Sequence, residues 1–398
     1  MRLFTIGGMK LLVIGLGQCG GRIADRFARL NKRGHAQRGI DVLADALAVN
    51  TDVADLSGLR TIKADYKHRI LVGGQRTSGH GVGKVCELGA EIAKEDSDKI
   101  IDAIRKTERF YETDGFLLIA GAAGGTGSGS IGILTQHLKE RYIGKPAYNV
   151  IVLPFRQEET TETRTIYNTA TCLKSAYLVA DAVFLIDNQR YVKKDAPAEN
   201  NIAMINARVV EPFYNLLCAG EETKMKYVGV KTLDAGDIIQ TLAGWTVIGE
   251  GSSRIPRRLP LCREKRDFRD KMAETSKAAH AMDQALGELS LTCDPKDAGR
   301  ALYLVTAPPK EIRMEVIKQL GDNLSAVASN ALIRSGDYPR QKGSLDVTVV
   351  LSELSNVRKI TSYFTKAIDL ISEMKAKRGL GYGDRKLEET FDGIPVLL

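Results

Sequence analysis

No two cysteines of this chain stand at C-x-x-C spacing, and no two of its five histidines stand at the spacing of a zinc-ligating pair. Cys19, Cys86, Cys172, Cys218, Cys262 and Cys293 therefore read as mostly buried thiols of a reduced, cytoplasmic protein, and no protein-bound transition metal is expected. Long apolar runs are missing too. Nothing approaches the roughly 18 residues that cross a bilayer, so no transmembrane segment is expected. Residues 1–8 lack the apolar core of a signal peptide, and Met9 serves as well as Met1 for a start. The chain has no Walker ending, because Val85 follows Lys84 where a P-loop needs serine or threonine. The surplus of basic residues, +8, is spread over the whole length. Its densest stretch, Arg254 to Arg269, reads as a solvated loop, and no nucleic-acid partner is expected. What remains is 398 residues at 43% hydrophobic and 27% charged, an ordinary globular composition with room for two domains.

What the chain does have is glycine in organised places. Phe116 to Ala120 is a short unalternating apolar run, the pattern of a buried strand. The next ten residues, Gly121 to Ser130, hold five glycines and three hydroxyl residues. Ile131, Leu134 and Leu138 then recur on one helical face. A strand, a glycine loop and a helix start in this order aim backbone N–H groups and a positive helix end at one spot, where an anion fits. Thr126 and Ser128 add hydroxyl donors.

A second unit of the same kind lies earlier. Leu11 to Ile14 is a strand, Gly15 to Gly21 the loop, and Arg22 to Leu30 a helix. Gly15, Gly17 and Gly20 also fit the G-x-G-x-x-G of dinucleotide-binding dehydrogenases. Such an enzyme has no need of the glycine loop at 121–129, and it more often ends its second strand with an acid. Here the strand Ala46 to Asn50 ends in Asn50-Thr51-Asp52, which also suits a plain Asx turn. A third glycine cluster runs from Ser78 to Lys84, and Lys84 reads equally as a phosphate contact or a solvated lysine. Val150 to Leu153 and Asp181 to Ile186 are further strands; the second leads into Asp187-Asn188, where an amide can both donate to and accept from a ligand. A long helix follows over Pro197 to Cys218, with Asn200 and Asn201 at its start, one free to cap and the other to bind. Asp234 and Asp237 sit three apart in the next loop, placed to orient a water or a cation or to cap a helix. Beyond them the pattern predicts a strand at Trp245 to Ile248, a helix over Lys277 to Leu289, a strand over Arg300 to Thr306, a helix over Lys310 to Leu332 and an alternating strand over Leu345 to Leu351. Together these make a second, α+β domain. From Lys375 charges and glycines dominate, and the chain ends in the apolar tip Asp392-Gly393-Ile394-Pro395-Val396-Leu397-Leu398.

Taken in order from Leu11 to Leu351, these loops resemble the tubulin/FtsZ family. GQCG at 17–20, GTGSG at 125–129 and IDN at 186–188 lean to tubulin, whereas AVNTD at 48–52 and the two-aspartate loop lean to FtsZ. The mixture looks most like the CetZ group of archaeal tubulin-like proteins. The resemblance implies a Rossmann-like parallel-sheet α/β GTP-binding domain over 1–196, a central helix over 197–220, a second α+β domain over 221–374 and a flexible tail over 375–398. It implies GTP/GDP and Mg²⁺ as ligands. Gly17, Gln18, Cys19, Gly20, Asn50, Gly79, Gly81, Gly124, Gly125, Thr126, Gly127, Ser128, Glu158, Asn188 and Asn201 would hold the nucleotide. Asp234 and Asp237 would reach the GTP of the next subunit and complete hydrolysis only after head-to-tail assembly. The family's ribose-contacting arginine has no match at its usual offset, Arg164 being the nearest, and Thr232 replaces the asparagine of the acid loop. The implied partners are further copies of the chain, with an adaptor or membrane-associated protein at the tail. The implied role is control of cell shape, with FtsZ-type division as the alternative and an NAD-dependent dehydrogenase as the remote one.

Overall fold

The computed structural model describes residues 8–192, 197–222, 224–255, 268–377 and 394–398. Contacts gather the chain into two compact units, one of Lys10–Val210 with Val357–Leu398, the other of Met1–Met9 with Glu211–Asn356.

The first unit is built on six parallel strands: β1 (Leu11–Leu16), β2 (Leu43–Asn50), β3 (Arg69–Leu71), β4 (Gly115–Gly121), β5 (Ala147–Leu153) and β6 (Ala182–Asp187). Their order is β3-β2-β1-β4-β5-β6. Every residue of β1, β5 and β6 is buried, as expected of a parallel sheet covered on both faces, and it explains the unalternating apolar runs. The order reverses between β1 and β4, so their carboxyl ends open a crevice where such sheets take ligands. Two helices start there, α1 (Gly17–Arg38) after β1 and α3 (Thr126–Arg141) after β4. Helix α2 (Cys86–Glu95) and helix α4 (Thr163–Val179) pack against α3. Helix α5 (Ala198–Glu221) follows β6 and carries Pro212 inside it.

The second unit holds the short helix α6 (Ala235–Thr241), then β7 (Gly244–Arg254), α7 (Phe268–Gly287), β8 (Ala298–Ala307), α8 (Met314–Val327), β9 (Leu332–Pro339) and β10 (Ser344–Leu354). The strand order is β7-β10-β8-β9, antiparallel except that β9 runs parallel to β8. Helix α9 (Arg358–Lys377) then returns to the first unit and packs on α4.

Several expectations need correction. The helix predicted over Lys310 to Leu332 is shorter: α8 ends at Val327, the chain turns at Ala328–Asn330, and Leu332 opens β9. Leu320 and Leu324 carry the helical spacing, but pairing of β9 along eight residues of β8 overrides it beyond the turn. β10 does not alternate, because it is an inner strand, flanked by β7 and β8 and buried on both faces. The expected tail is not loose at either described end. Helix α9 runs on through Lys375 to Lys377, and Ile394–Leu398 packs on the first unit. Residues 378–393, with Asp392 and Gly393 of the tip, lie outside the described residues, as do 256–267 of the basic loop with Cys262. Among the described residues no helix is long and apolar enough to cross a membrane.

Candidate functional site

A cavity of ≈430 Å³ lies at the carboxyl ends of β1 and β4, walled entirely by residues of the first unit. That volume suits a small-molecule ligand. Two glycine loops form one side. Gly17 turns the chain from β1 into α1 at φ +68°, a left-handed conformation that favours glycine. A Cβ at Gly17 would come within 3.1 Å of the Gly127 nitrogen, so the two loops face each other across a single gap. Both helices start without a side-chain cap and without an acid in the first turn. Their leading N–H groups and positive ends are left for a ligand. Arg22, in the early turns of α1, adds a cationic side chain to the wall.

Most residues singled out in the sequence meet here. Gly17, Gln18, Cys19, Asn50, Gly81, Gly124, Gly125, Thr126, Gly127, Glu158 and Asn188 line the cavity. Thr126 is nearly buried, and its hydroxyl is 2.7 Å from that of Thr51. Gln18 Nε2 donates to Asp55 Oδ1 at 2.6 Å and Asn50 Nδ2 to Asp55 Oδ2 at 3.0 Å, so one carboxylate fixes both amides. Glu158 accepts from the Phe155 N–H at 2.9 Å and thereby caps the short helix Arg156–Thr161. Burial, helped by the charge of Glu158, pushes the Cys19 thiol up to about 12, so it is a neutral wall contact and no nucleophile at neutral pH. Asn188 is the most telling. Its Oδ1 is buried without a hydrogen-bond partner among the described residues, an acceptor held ready for a donor from a ligand.

Other expected residues do something else. Gly20 does not line the cavity; a Cβ there would stand 2.0 Å from the Ile119 carbonyl oxygen, so this glycine lets α1 lie on β4. Gly79 packs against Val53, and Ser128 turns its hydroxyl back to the carbonyls of Gly124 and Gly125. Asn201 is not in the wall; Ile202, Ile205 and Asn206, on one face of α5, take that place. Arg164 donates to the Lys84 carbonyl and pairs with Glu87, outside the lining, whereas Lys84 lines the cavity while its ammonium pairs with Glu162 at 2.7 Å. Asp55, Arg22 and Asn206 escaped the sequence reading.

In the second unit, Asp234 is the N-cap of α6 and accepts from the Asp237 N–H at 2.7 Å. Asp237 pairs through Oδ1 with Arg334 Nη1 of β9 at 2.6 Å. The preceding loop is pinned by Asp337, also on β9 and only 1% exposed, whose carboxylate accepts from Val230 N at 3.0 Å and Lys231 N at 2.6 Å.

Comparison with known proteins agrees with this layout. Residues 10–194 match the model of the tubulin/FtsZ family GTPase domain, and residues 197–369 match that of the tubulin-like CetZ C-terminal domain. Among curated proteins, the tubulin-like protein CetZ1 of Haloferax volcanii is 33% identical over 375 residues, 91% of this chain and 92% of the relative. A solved structure of Haloferax volcanii CetZ1, a GDP-bound monomer, superposes with TM-score 0.78 at 29% identity over 91% of this chain and all of that one. The GTPγS-bound protofilament of CetZ2 from the same organism also gives TM-score 0.78, at 26% identity over 92% of this chain and 100% of its own.

Proposed function

The chain belongs to the tubulin/FtsZ family, in its CetZ group, and from that premise we propose that it binds GTP, stacks head-to-tail into filaments and hydrolyses GTP as a consequence of stacking. The observation that carries the reading is the cavity between the two uncapped glycine loops, with the partnerless Asn188 oxygen in its wall. Backbone N–H groups from Gly17–Cys19 and Gly124–Thr126 would hold the phosphates, with Arg22 adding positive charge. Asn188 would accept from the N–H edge of guanine, an interaction adenine cannot offer in the same pattern. Glu158 and Asn206 would border the remainder of the nucleoside.

Mg²⁺ would enter with the phosphates. Asp52 lines the cavity near the phosphate loops, and its carboxylate would hold the cation together with the phosphates, as is usual for a hard cation of this kind. The cation would supply charge neutralisation on the phosphates; the protein's part is to orient them and exclude bulk water.

Hydrolysis needs a positioned water, and two carboxylates of the first unit's wall are engaged, Asp55 by Gln18 and Asn50 and Glu158 by its own helix start, while Asp52 would serve the cation. Asp234 and Asp237 would supply the orienting groups from an adjacent subunit. A head-to-tail contact of that sort does not close on itself and so extends a filament. The GDP-bound CetZ1 monomer and the GTPγS-bound CetZ2 protofilament support guanine-nucleotide binding and filament formation. The cellular task proposed with it is cell-shape control, which a gene-deletion strain with altered shape but normal septation would support.

The experiment is phosphate release from GTP, with ATP as control, over a series of protein concentrations. GTP-specific activity per molecule should rise steeply above a threshold. Asp237→Ala should still bind GTP and assemble while its turnover drops by roughly a hundredfold or more. Turnover independent of concentration, or an Asp237→Ala variant that hydrolyses normally, would overturn the mechanism. NAD binding without GTP binding would instead favour the dehydrogenase.

A further inference from the structure

The apolar tip meets a surface built to receive it. Ile394 is 2% exposed, although it lies at the far end of a charged stretch of sequence. Its carbonyl accepts from Lys174 Nζ at 2.9 Å, and Lys174 on α4 is itself only 5% exposed. The Leu397 N–H donates at 2.9 Å to the hydroxyl of Ser175, which is fully buried. The Leu397 side chain packs on Ala90 and Ala93 of α2 and Ile133 of α3. Lys94, at the end of α2, donates to the Leu398 carbonyl. A Cβ on Gly132 of α3 would stand 3.1 Å from both the Leu397 oxygen and a Leu398 methyl, so bare backbone is part of the seat. Pro395 and Val396 face outward.

Three helices thus give one short segment two apolar seats and three backbone contacts, two of them from groups almost wholly removed from water. Chance surface contacts do not bury a lysine ammonium against a peptide carbonyl, because desolvating that charge is costly unless it is hydrogen-bonded. We propose that the α2–α3–α4 face is a peptide-docking site whose resident occupant is Ile394–Leu398 of the same chain, held as a reversible latch. Sixteen residues, 378–393, join the end of α9 to the tip. Because the tip belongs to the same chain, its docking is intramolecular, which lets even a weak peptide fill its site. The consequence concerns the tail's expected partner. A docked tip has Ile394 and Leu397 turned into its own domain, so a protein that recognises those side chains must first draw them out. The proposal is independent of what the nucleotide-type cavity binds.

The test uses the full chain and a dye-labelled synthetic peptide with the sequence of residues 390–398. Ile394→Asp combined with Leu397→Asp should release the tip and expose the site. The released chain should bind the peptide at least tenfold more tightly than the intact chain, and adding Lys174→Met should abolish that gain while the melting temperature stays that of the released chain. A released chain that melts normally and takes up no peptide, or equal binding by both chains, overturns the proposal. Should the double variant or its Lys174→Met derivative fail to fold, amide exchange on the intact chain decides. The Leu397 N–H should exchange at least tenfold more slowly than in the free peptide, and equal rates overturn the latch. An intact chain that sediments as a dimer, and that Leu397→Asp alone converts to monomer, would assign the site to a second copy's tip and overturn the latch in cis.

Discussion

The two units place their candidate chemistry by opposite means. In the first, the cavity is shaped mainly by backbone: β1 and β4 deliver two glycine loops to one crevice, and the helices that follow leave their N-termini uncapped. In the second, the acid loop takes its shape from side chains on a distant strand. Asp337 accepts two of its N–H groups, Arg334 pairs with Asp237, and both residues belong to β9, about a hundred positions further along. A site made of backbone is written in consecutive glycines. A site made of long-range ion pairs and buried carboxylates leaves no local pattern.

The sharpest way to break the comparison is to give the first unit a side chain where it has none. Gly20→Val puts atoms 2.0 Å from the Ile119 carbonyl oxygen, backbone that cannot move aside. We expect a loss of about 4 kcal/mol or more, at the upper end of single-substitution effects, read as a collapse of the thermal melt. Gly124→Ala is the counterpart. A Cβ there meets nothing within 4 Å among the described residues, and the residue lines the cavity. Its melt should stay within about 1 kcal/mol of the parent, with any loss confined to nucleotide affinity. If Gly20→Val melts normally, the close approach of α1 to β4 is not what organises this end of the sheet.

In the second unit the equivalent weak point is a carboxylate. Asp337→Asn keeps the size but leaves one oxygen where two accepted N–H bonds, so a buried donor loses its partner. Urea unfolding should show a cost of roughly 1.5–3 kcal/mol. The acid loop should also exchange its amides faster at Val230 and Lys231. An unchanged exchange rate would mean that the loop is held by something other than β9.

The same contrast explains what could be read in advance. Five of the six parallel strands announced themselves, most clearly where burial on both faces makes an unbroken apolar run, as in Leu11–Ile14 and Phe116–Ala120, whereas the three-residue β3, half-exposed at Arg69 and Leu71, did not. Gly17, Gly124, Gly125 and Gly127 were legible because glycine between strand and helix has a definite geometric meaning. Asp55 was not, since nothing in a helix-start aspartate says that it will tie together Gln18 and Asn50, whose cavity roles were themselves visible. β9 was hidden by the apolar spacing of α8 running up to Leu332, and with it went Arg334 and Asp337. The docked tip was half legible. Its apolar character marked it as a docking peptide, whereas its seat combines Gly132, Lys174 and Ser175 from two helices and could be recognised only once those helices were side by side.

A smaller change tests the ligand that the backbone cradle was proposed to take. Asn188→Ala removes the partnerless oxygen without touching either glycine loop. A hydrogen bond of this kind contributes about 1–2 kcal/mol. The preference for GTP over ATP in competitive binding should therefore shrink roughly tenfold, with phosphate contacts and the melt unchanged. An unaltered preference would move base recognition elsewhere in the wall, to Asn206 or to backbone.

The smallest effect belongs to the opposite end of the first sheet, where charge takes over from backbone. Near the start of β1, Lys10 pairs with Glu112 at 2.8 Å, and Arg109 bridges Glu112 at 2.7 Å and Asp41 at 3.1 Å. The Arg109 guanidinium, through its hydrogen bonds, and Lys10 hold the Glu112 carboxyl down at about 2, against the partial opposition of burial. Its folded pKa lies below the unfolded one, so the stability it lends is complete above about pH 4.5 and is lost as pH falls through about 2. Arg109 is one-third exposed, so solvent screening discounts the contribution to the order of 1 kcal/mol. Glu112→Gln should therefore be less stable than the parent by about that amount at pH 6–7, and the gap should close as pH is lowered toward 2. Urea titrations at a series of pH values read the gap directly. A gap that does not vary with pH would mean that the side chain contributes packing alone, and that this end of the sheet, like the cavity end, owes little to charge.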